Sequence, residues 1–367
     1  MPKICRSFAR MLQQWIIRIL LWPFSILYGL GATLHEKLYR WGLLKAVSFN
    51  LPVISVGNLT VGGAGKSPHI EYLVRLLKEH LEVGVLSRGY RRKSVGFKEV
   101  LPQMSVEESG DEPLQFKRKF PDVLVAVSES RSLGVPRMLM KRDDLQVVLL
   151  DDAFQHRAIQ PGLNILLTEH DHPFTRDLLL PAGRLREWPS AYRRADIIVV
   201  TKCPADPAEV QREALLREIA PLPHQRVYFS YYQYRQPYYL LDNRYVTTLE
   251  DDWEVLLISA IANVDYLTQY LKQQVGYIKI MEFEDHRYFS KSDISNLKLT
   301  FDNMEAQKKI ILTTEKDATR LDQHRQFFTE HRLPVFVLPV EVRFHFEDAG
   351  APSFDDDVKN FLLNFKA

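Results

Sequence analysis

The chain has 367 residues, enough for two domains or one large one. Its 46% hydrophobic and 26% charged residues are values of a folded globular protein, which excludes a disordered chain. A formal net charge of +2 gives no general electrostatic basis for a nucleic-acid partner, and none is expected; any basic surface must be local. Two cysteines, Cys5 and Cys203, exclude a disulfide framework and a cysteine metal quartet, and read as reduced cytosolic thiols.

Residues 1–35 differ from the rest. Arg6, Arg10, Gln14 and Arg18 recur every four positions and stack on one face of a helix, with Leu12, Trp15, Ile16, Ile19 and Leu20 on the other. From Ile19 to Leu34 there is an uncharged run of 16 residues, interrupted by Pro23, Gly29 and Gly31. A spanning helix needs roughly 20 apolar residues. A signal peptide, a helix packed on the protein's own core and an interfacial helix all share this pattern. The leading expectation is an N-terminal amphipathic helix lying in the membrane interface, its cations at anionic headgroups and its Trp and Leu side chains in the acyl boundary.

The run Pro52–Val56 is a short buried-type strand. It enters Gly57-Asn58-Leu59-Thr60-Val61-Gly62-Gly63-Ala64-Gly65-Lys66-Ser67-Pro68, and an amphipathic helix then begins through Ile70, Leu73, Val74, Leu76 and Leu77. Strand, glycine loop, Gly-Lys-Ser and helix are the context of a phosphate-binding loop. Backbone amides of Gly62, Gly63, Ala64 and Gly65 can close around phosphate oxygens of ATP, Lys66 can reach the β/γ-phosphates, and the Ser67 hydroxyl can bind Mg2+. Thr60 stands where the usual spacing has a glycine. A second apolar strand, 146–150, ends in Asp151-Asp152, carboxylates placed as P-loop proteins place their magnesium acids. Further strands at 164–168 and 196–201 predict an α/β, doubly wound, mostly parallel sheet whose ligands sit at the carboxyl ends of its strands.

Three further constellations bear on where a phosphate goes. Arg88 and Arg91 follow the strand Val83–Leu86 and read either as holders of a substrate phosphate or as a solvated turn. Asp111, in Gly110-Asp111-Glu112-Pro113, reads as a general base or as part of a helix N-terminus. His286, in Phe283-Glu284-Asp285-His286-Arg287-Tyr288-Phe289, is a surface histidine or the partner of a carboxylate elsewhere.

Together the stretches VISVGNLTVGGAGKSP (53–68), LSRGYRR (86–92), GDEP (110–113), LDDAFQHR (150–157), LLPAGRLRE (179–187), ADIIVVTK (195–202), FEDHRYF (283–289) and TTEKDATR (313–320) occur in an order that resembles the tetraacyldisaccharide 4'-kinase family, the lipid A 4'-kinases of Gram-negative bacteria. The resemblance covers roughly residues 10–320. It implies transfer of the γ-phosphate of ATP to the 4'-hydroxyl of a tetraacylated glucosamine disaccharide 1-phosphate. It implies Asp111 as general base with His286 as partner, Lys66 in phosphate transfer, and Ser67, Asp151, Asp152 and Glu187 around Mg2+. Asn58, Arg88, Arg91, Gln155 and Arg186 would bind substrate. The implied partners are the lipid A disaccharide 1-phosphate and the inner-membrane lipid surface, with the enzyme peripheral on its cytoplasmic face. Ala153 stands where the family has glycine, a small change unless that backbone needs positive φ.

Pro221-Leu222-Pro223 marks a break. The expected organisation is 1–35 interfacial helix, 36–222 P-loop core, 223–250 linking β-ribbon, and 251–367 a second, smaller α/β domain with strands near 255–258, 277–283, 309–313 and 335–340. Asp111 and His286 would then come from different domains, meeting in a cleft that closes. Thr314-Glu315-Lys316-Asp317 reads as a nucleotide contact or a helix cap, and the acids Asp355 to Asp357 as a helix N-terminus. A P-loop GTPase or metal-insertion ATPase is the rival class, but it calls for guanine-reading or Cys/His motifs that are not evident.

Overall fold

The computed structural model describes residues 3–206, 209–345 and 352–366, with side chains from Ile17 onward. The chain forms two compact units of similar size, Met1–Lys66 with Gln146–Tyr231 and Phe344–Ala367, and Ser67–Leu145 with Tyr232–Arg343. Both interleave distant segments, unlike the consecutive organisation expected from the sequence.

In the first unit the strands Arg226–Tyr234, Ile197–Thr201, Leu163–Glu169, Val53–Asn58 and Val147–Asp151 lie side by side in that order, all parallel. Ile197–Thr201 and Val147–Asp151 read as almost unbroken Val/Ile/Leu because a parallel strand is covered on both faces and has no solvent side to mark. Leu59, Phe154, Leu166, Ile198, Val200 and Phe229 pack into one buried cluster beneath the carboxyl ends of these strands. The expected ribbon at 223–250 is corrected here. Arg226–Tyr234 joins the sheet beside Ile197–Thr201 because Tyr228 and Phe229 are buried, and only Tyr238–Tyr239 and Asp242–Val246 form an antiparallel pair. The second half of the N-terminal helix, Lys3–Arg40, docks by one narrow stripe. Ser25 Oγ donates to Leu179 O (2.9 Å) and accepts from Ala182 N (3.0 Å), Tyr28 Oη donates to Arg186 O (3.0 Å), and Trp188 Nε1 donates to Gly29 O (3.2 Å). Ile19, Leu20, Trp22, Phe24, Leu27, Leu30 and Leu34 stay exposed. Arg18 is exposed, while the side chains of Arg6, Arg10, Leu12, Gln14, Trp15 and Ile16, and Cys5, lie outside the described residues. Cys203 is a buried free thiol.

In the second unit, Val83–Ser87 and Leu124–Val127 are parallel, with the short Lys98–Glu99 antiparallel at the edge. A six-stranded sheet runs Asp242–Val246, Tyr238–Tyr239, Val335–Leu338, Lys309–Thr314, Glu254–Ser259, Tyr277–Glu282, its last four strands parallel. The strand expected at 335–340 stops at Leu338; Pro339 lacks an N–H for the ladder, and Val340–Phe344 is a separate strand. The acid run begins the helix Phe354–Asn364, with Ser353 and Asp356 forming a capping box.

Candidate functional site

In the first unit the phosphate loop leaves the buried strand Val53–Asn58 and ends at the helix Lys66–Leu77, where Pro68 sits in the first turn, whose N–H groups have no helical acceptor. Gly65 has φ +89°, a left-handed conformation that a side chain would strain. Thr201 Oγ1, at the end of a neighbouring strand, donates to Ala64 O (3.0 Å) and braces the loop. Thr60, at the missing glycine position, is bridged to Leu185, and its carbonyl accepts from Asn58 Nδ2 (2.8 Å) and Arg186.

Lys66 Nζ donates to Asn58 Oδ1 (3.1 Å) and lies 3.8 Å from Asp152. Arg186 donates to Asn58 Oδ1 (2.5 Å) and to both carboxylate oxygens of Asp152 (3.0 and 3.1 Å). Gln155 Nε2 donates to Asn58 O (2.8 Å). Asn58 is buried with both ends of its amide occupied, so its geometry is that of a holder of Lys66 and Arg186, not of a group presented to substrate. Asp151 is buried at its strand end. Asp152 takes φ +48° whereas Ala153 does not take positive φ, so the methyl in place of the family's glycine is accommodated. Glu187 does not sit as an open metal ligand: its carboxylate accepts from Arg194 (2.5 Å) and Arg157 (3.4 Å).

In the second unit four segments converge. Gly110 has φ +89°, and a Cβ there would lie 3.1 Å from Gly89 Cα, so the turn before the helix Asp111–Lys119 must press backbone to backbone on the Ser87–Arg92 loop. That turn delivers Asp111, whose Oδ2 meets His286 Nδ1 at 2.9 Å. His286 takes φ +58°, its ring is edge-on to Tyr90 (5.0 Å), and its carbonyl accepts from Arg91 (3.0 Å). Lys316 Nζ lies 3.1 Å from His286 Nε2. An ammonium has no acceptor lone pair, so Nε2 must be the acceptor and Nδ1 carries the proton that Asp111 receives. Lys316 also pairs with Glu112 (3.3 Å), and Ser67 Oγ donates to Glu112 Oε1 (3.0 Å). Arg320 lies 3.8 Å from Asp111.

Burial alone pushes the Asp111 carboxyl up, but the hydrogen bond from His286 and the charges of Lys316 and Arg320 outweigh it and hold the group well below the usual carboxylate range. Burial likewise opposes the charge on Lys316, and Glu112, Asp111 and Asp285 reverse that and raise it. The expectation that Asp111 and His286 are split between domains is corrected: both belong to one unit and already form a pair, because the Gly89/Gly110 contact and the 315–321 helix order their loops together. Thr314 caps that helix, accepting from Asp317 N, which is the cap reading of the 314–317 segment. Arg91 is turned to the His286 loop instead of standing free, and Arg88 is exposed. Sequence alone gives Glu112 and Arg320 no role and places Lys316 only in a segment that contacts nucleotide or caps a helix, although Glu112 sits inside the motif GDEP and Lys316 and Arg320 inside TTEKDATR.

Residues 17–360 match the family described as Tetraacyldisaccharide-1-P 4'-kinase, LpxK. The chain is 41% identical over 333 residues to the Tetraacyldisaccharide 4'-kinase of Bacteroides thetaiotaomicron, covering 88% of each. It is 40% identical over 355 residues to that of Parabacteroides distasonis, covering 93% of this chain and 96% of the relative. The fold is similar to the crystal structure of LpxK from Aquifex aeolicus in complex with ATP, with a TM-score of 0.71 and 30% identity over 95% of this chain and 99% of that one.

Proposed function

Because the chain belongs to the tetraacyldisaccharide-1-P 4'-kinase family, we propose that its two clusters of polar residues carry the two halves of one phosphoryl transfer. The protein is an ATP-dependent kinase of lipid A biosynthesis, passing the γ-phosphate to the 4'-hydroxyl of a tetraacylated disaccharide 1-phosphate. Phosphoryl transfer is mostly positioning and charge neutralisation. Lys66, released from Asn58 and Asp152, holds the β/γ-phosphates. Arg186 faces the same Asp152 and serves the phosphates or the acceptor, with Gln155 steadying the loop.

Asp111 receives the hydrogen bond of the acceptor hydroxyl and orients it for attack. The observation that carries this reading is the buried, ionised Asp111 held at 2.9 Å by His286. A carboxylate kept so acidic is a weak proton acceptor early in the reaction. It suits a loose transition state, in which the hydroxyl proton departs late. The oxygen donors Asp151, Asp152 and Ser67 fit magnesium, which is held by one or two carboxylates plus substrate phosphates and keeps several waters. Those residues would hold magnesium, which would supply neutralisation of the charge that develops on the transferring phosphoryl group. Glu187, tied to two guanidinium groups, is left out of that set. Arg88 remains an exposed cation for an anionic substrate group.

The acceptor carries acyl chains, each exposed CH₂ costing roughly 0.8 kcal/mol, so the reaction belongs at a membrane surface. The exposed apolar face of 17–34 is the surface that meets it. The segment Ile17–Arg40 is long and apolar enough, by length and composition, to cross a bilayer. Its hydrogen-bonded stripe on residues 179–188 favours a helix lying in the interface, and an ATP-using enzyme places that interface on the cytoplasmic face. Labelled ATP with lipid A disaccharide 1-phosphate in detergent tests the whole reading: labelled bisphosphate is expected, and no product from the intact enzyme overturns it.

A further inference from the structure

Below the Asp111–His286 pair lies a second group of charges that the reaction does not use. Lys119 Nζ sits between Glu71 Oε2 and Glu315 Oε1, 2.6 Å from each. Glu71 is 1% exposed, and its other oxygen accepts from Gln115 Nε2 (2.8 Å), while Arg75 approaches at 3.6 Å. The other oxygen of Glu315 accepts from Val340 N (3.4 Å). Two carboxylates held away from water on one ammonium form an expensive arrangement, since an apolar trio of similar volume packs as well or better. Its position on the helices is informative. Glu71 is one turn into Lys66–Leu77, whose first turn holds Ser67. Lys119 ends Asp111–Lys119, whose first turn holds Asp111 and Glu112. Glu315 begins Glu315–Leu321, where the next residue is Lys316.

We propose that Lys119 is a positioning residue for the phosphoryl transfer: by bridging Glu71 and Glu315 it sets the spacing of the three helices whose first turns carry Ser67, Asp111–Glu112 and Lys316. The inference rests on the site reading above. Ser67–Glu112, Glu112–Lys316, Lys316–His286 and His286–Asp111 form a linked series of contacts between 2.9 and 3.3 Å. Such a series tolerates little drift, because a misplacement near 1 Å costs on the order of 100-fold in rate.

The bridge also titrates. Burial and Glu315 push the Glu71 carboxyl up to about 7 against the pull of Lys119 and Arg75. The groups facing it are Arg75 on its own helix, Gln115 and Lys119 on the second, Glu315 on the third, and Tyr238, whose phenol is itself raised by burial, Glu315 and Glu71. Above neutrality both carboxylates hold Lys119; below it Glu71 is neutral and only Glu315 does.

The test uses the full chain and compares Lys119→Met, Lys119→Arg and the triple variant Glu71→Gln, Lys119→Met, Glu315→Gln, which buries no lone charge. Lys119→Met is expected to lose about tenfold in kcat, with KM for ATP and for the lipid within about twofold, and Lys119→Arg to recover most of it. The triple variant is expected to fold as stably as the parent, to keep the tenfold deficit and to lose the rise of kcat with pH near neutrality. Parental kcat and pH profile in the triple variant overturn the proposal, including when Lys119→Met alone fails to fold. Asp111→Asn run in parallel separates the two readings: full turnover there removes the base and leaves the Lys119 result standing, whereas a dead Asp111→Asn beside a normal triple variant removes only Lys119.

Discussion

Asp111 is 3% exposed, and such a carboxyl would ordinarily be driven toward its neutral form. One hydrogen bond and two cations reverse that, and the sign has consequences. A group whose folded pKa is depressed adds stability that is fully present above its unfolded value, near 3.9, and is lost as pH falls through the folded value. Asp111→Asn should therefore lower kcat by about 10²–10⁴ while ATP still binds, and should flatten the fall of stability below about pH 4. Turnover assays and urea titrations at pH 3 and pH 7 measure both; kcat within threefold of the parent removes Asp111 from the reaction. Gly110→Ala forces a side chain into φ +89° against Gly89 and should cost about 1–3 kcal/mol by urea midpoint. At this scale residue type and loop context single out Lys66, Asp111 and His286, and the last two meet at 2.9 Å. They point poorly to direction. Asn58, Arg91 and Glu187 were expected to face ligand; each has at least one protein partner distant in the chain, Arg186, His286 and Arg157, at separations of 128, 195 and 30 residues. No local pattern records such partners.

Among the elements, the long apolar strands were legible within a residue or two because burial on both faces leaves an unbroken Val/Ile/Leu run. The edge strand Lys98–Glu99 carries no such signal, and the Tyr-rich 226–234 reads equally as a ribbon arm or a sheet strand until its neighbour is known. The N-terminal helix was read from its period, and it answers two demands at once. Ser25 and Gly29, four residues apart, turn to the protein, while Ile19, Leu20, Trp22, Phe24, Leu27, Leu30 and Leu34 are exposed, Leu27 at 65%. An uncovered apolar face of that extent marks a membrane or partner surface. Burying a side chain such as Leu or Trp is worth roughly 1.5–3 kcal/mol. Trp22→Glu with Leu27→Glu should therefore reduce co-sedimentation with phosphatidylglycerol-containing vesicles at least tenfold, while turnover of detergent-dispersed lipid changes little. Undiminished sedimentation means that this face is not the membrane contact.

For the molecule as a whole, interleaving explains why the domain limits were hard to read: Pro221 and Pro223 lie inside the segment Gln146–Tyr231 of one unit, and contacts between distant segments, not local composition, decide which residues form a unit. The same non-local assembly makes nucleotide binding a global event. A ligand that binds only the native state stabilises it by about 2.7 kcal/mol when present at a hundred times its Kd. With an unfolding entropy of roughly 2.1 cal/mol/K per residue, 367 residues convert this into a Tm rise of about 3–4 °C. ATP with magnesium should produce that rise in the intact chain. Lys66→Met should abolish it with little change in the ligand-free Tm, because Asp152 keeps its two bonds from Arg186. Chelating magnesium with EDTA before adding ATP should shrink the rise and stop turnover, since the triphosphate then meets the Asp151 and Asp152 carboxylates without a divalent cation between them. An undiminished rise and unchanged turnover in EDTA would show that these two carboxylates work without a metal, and the roles given to Asp151, Asp152 and Ser67 would have to be redrawn.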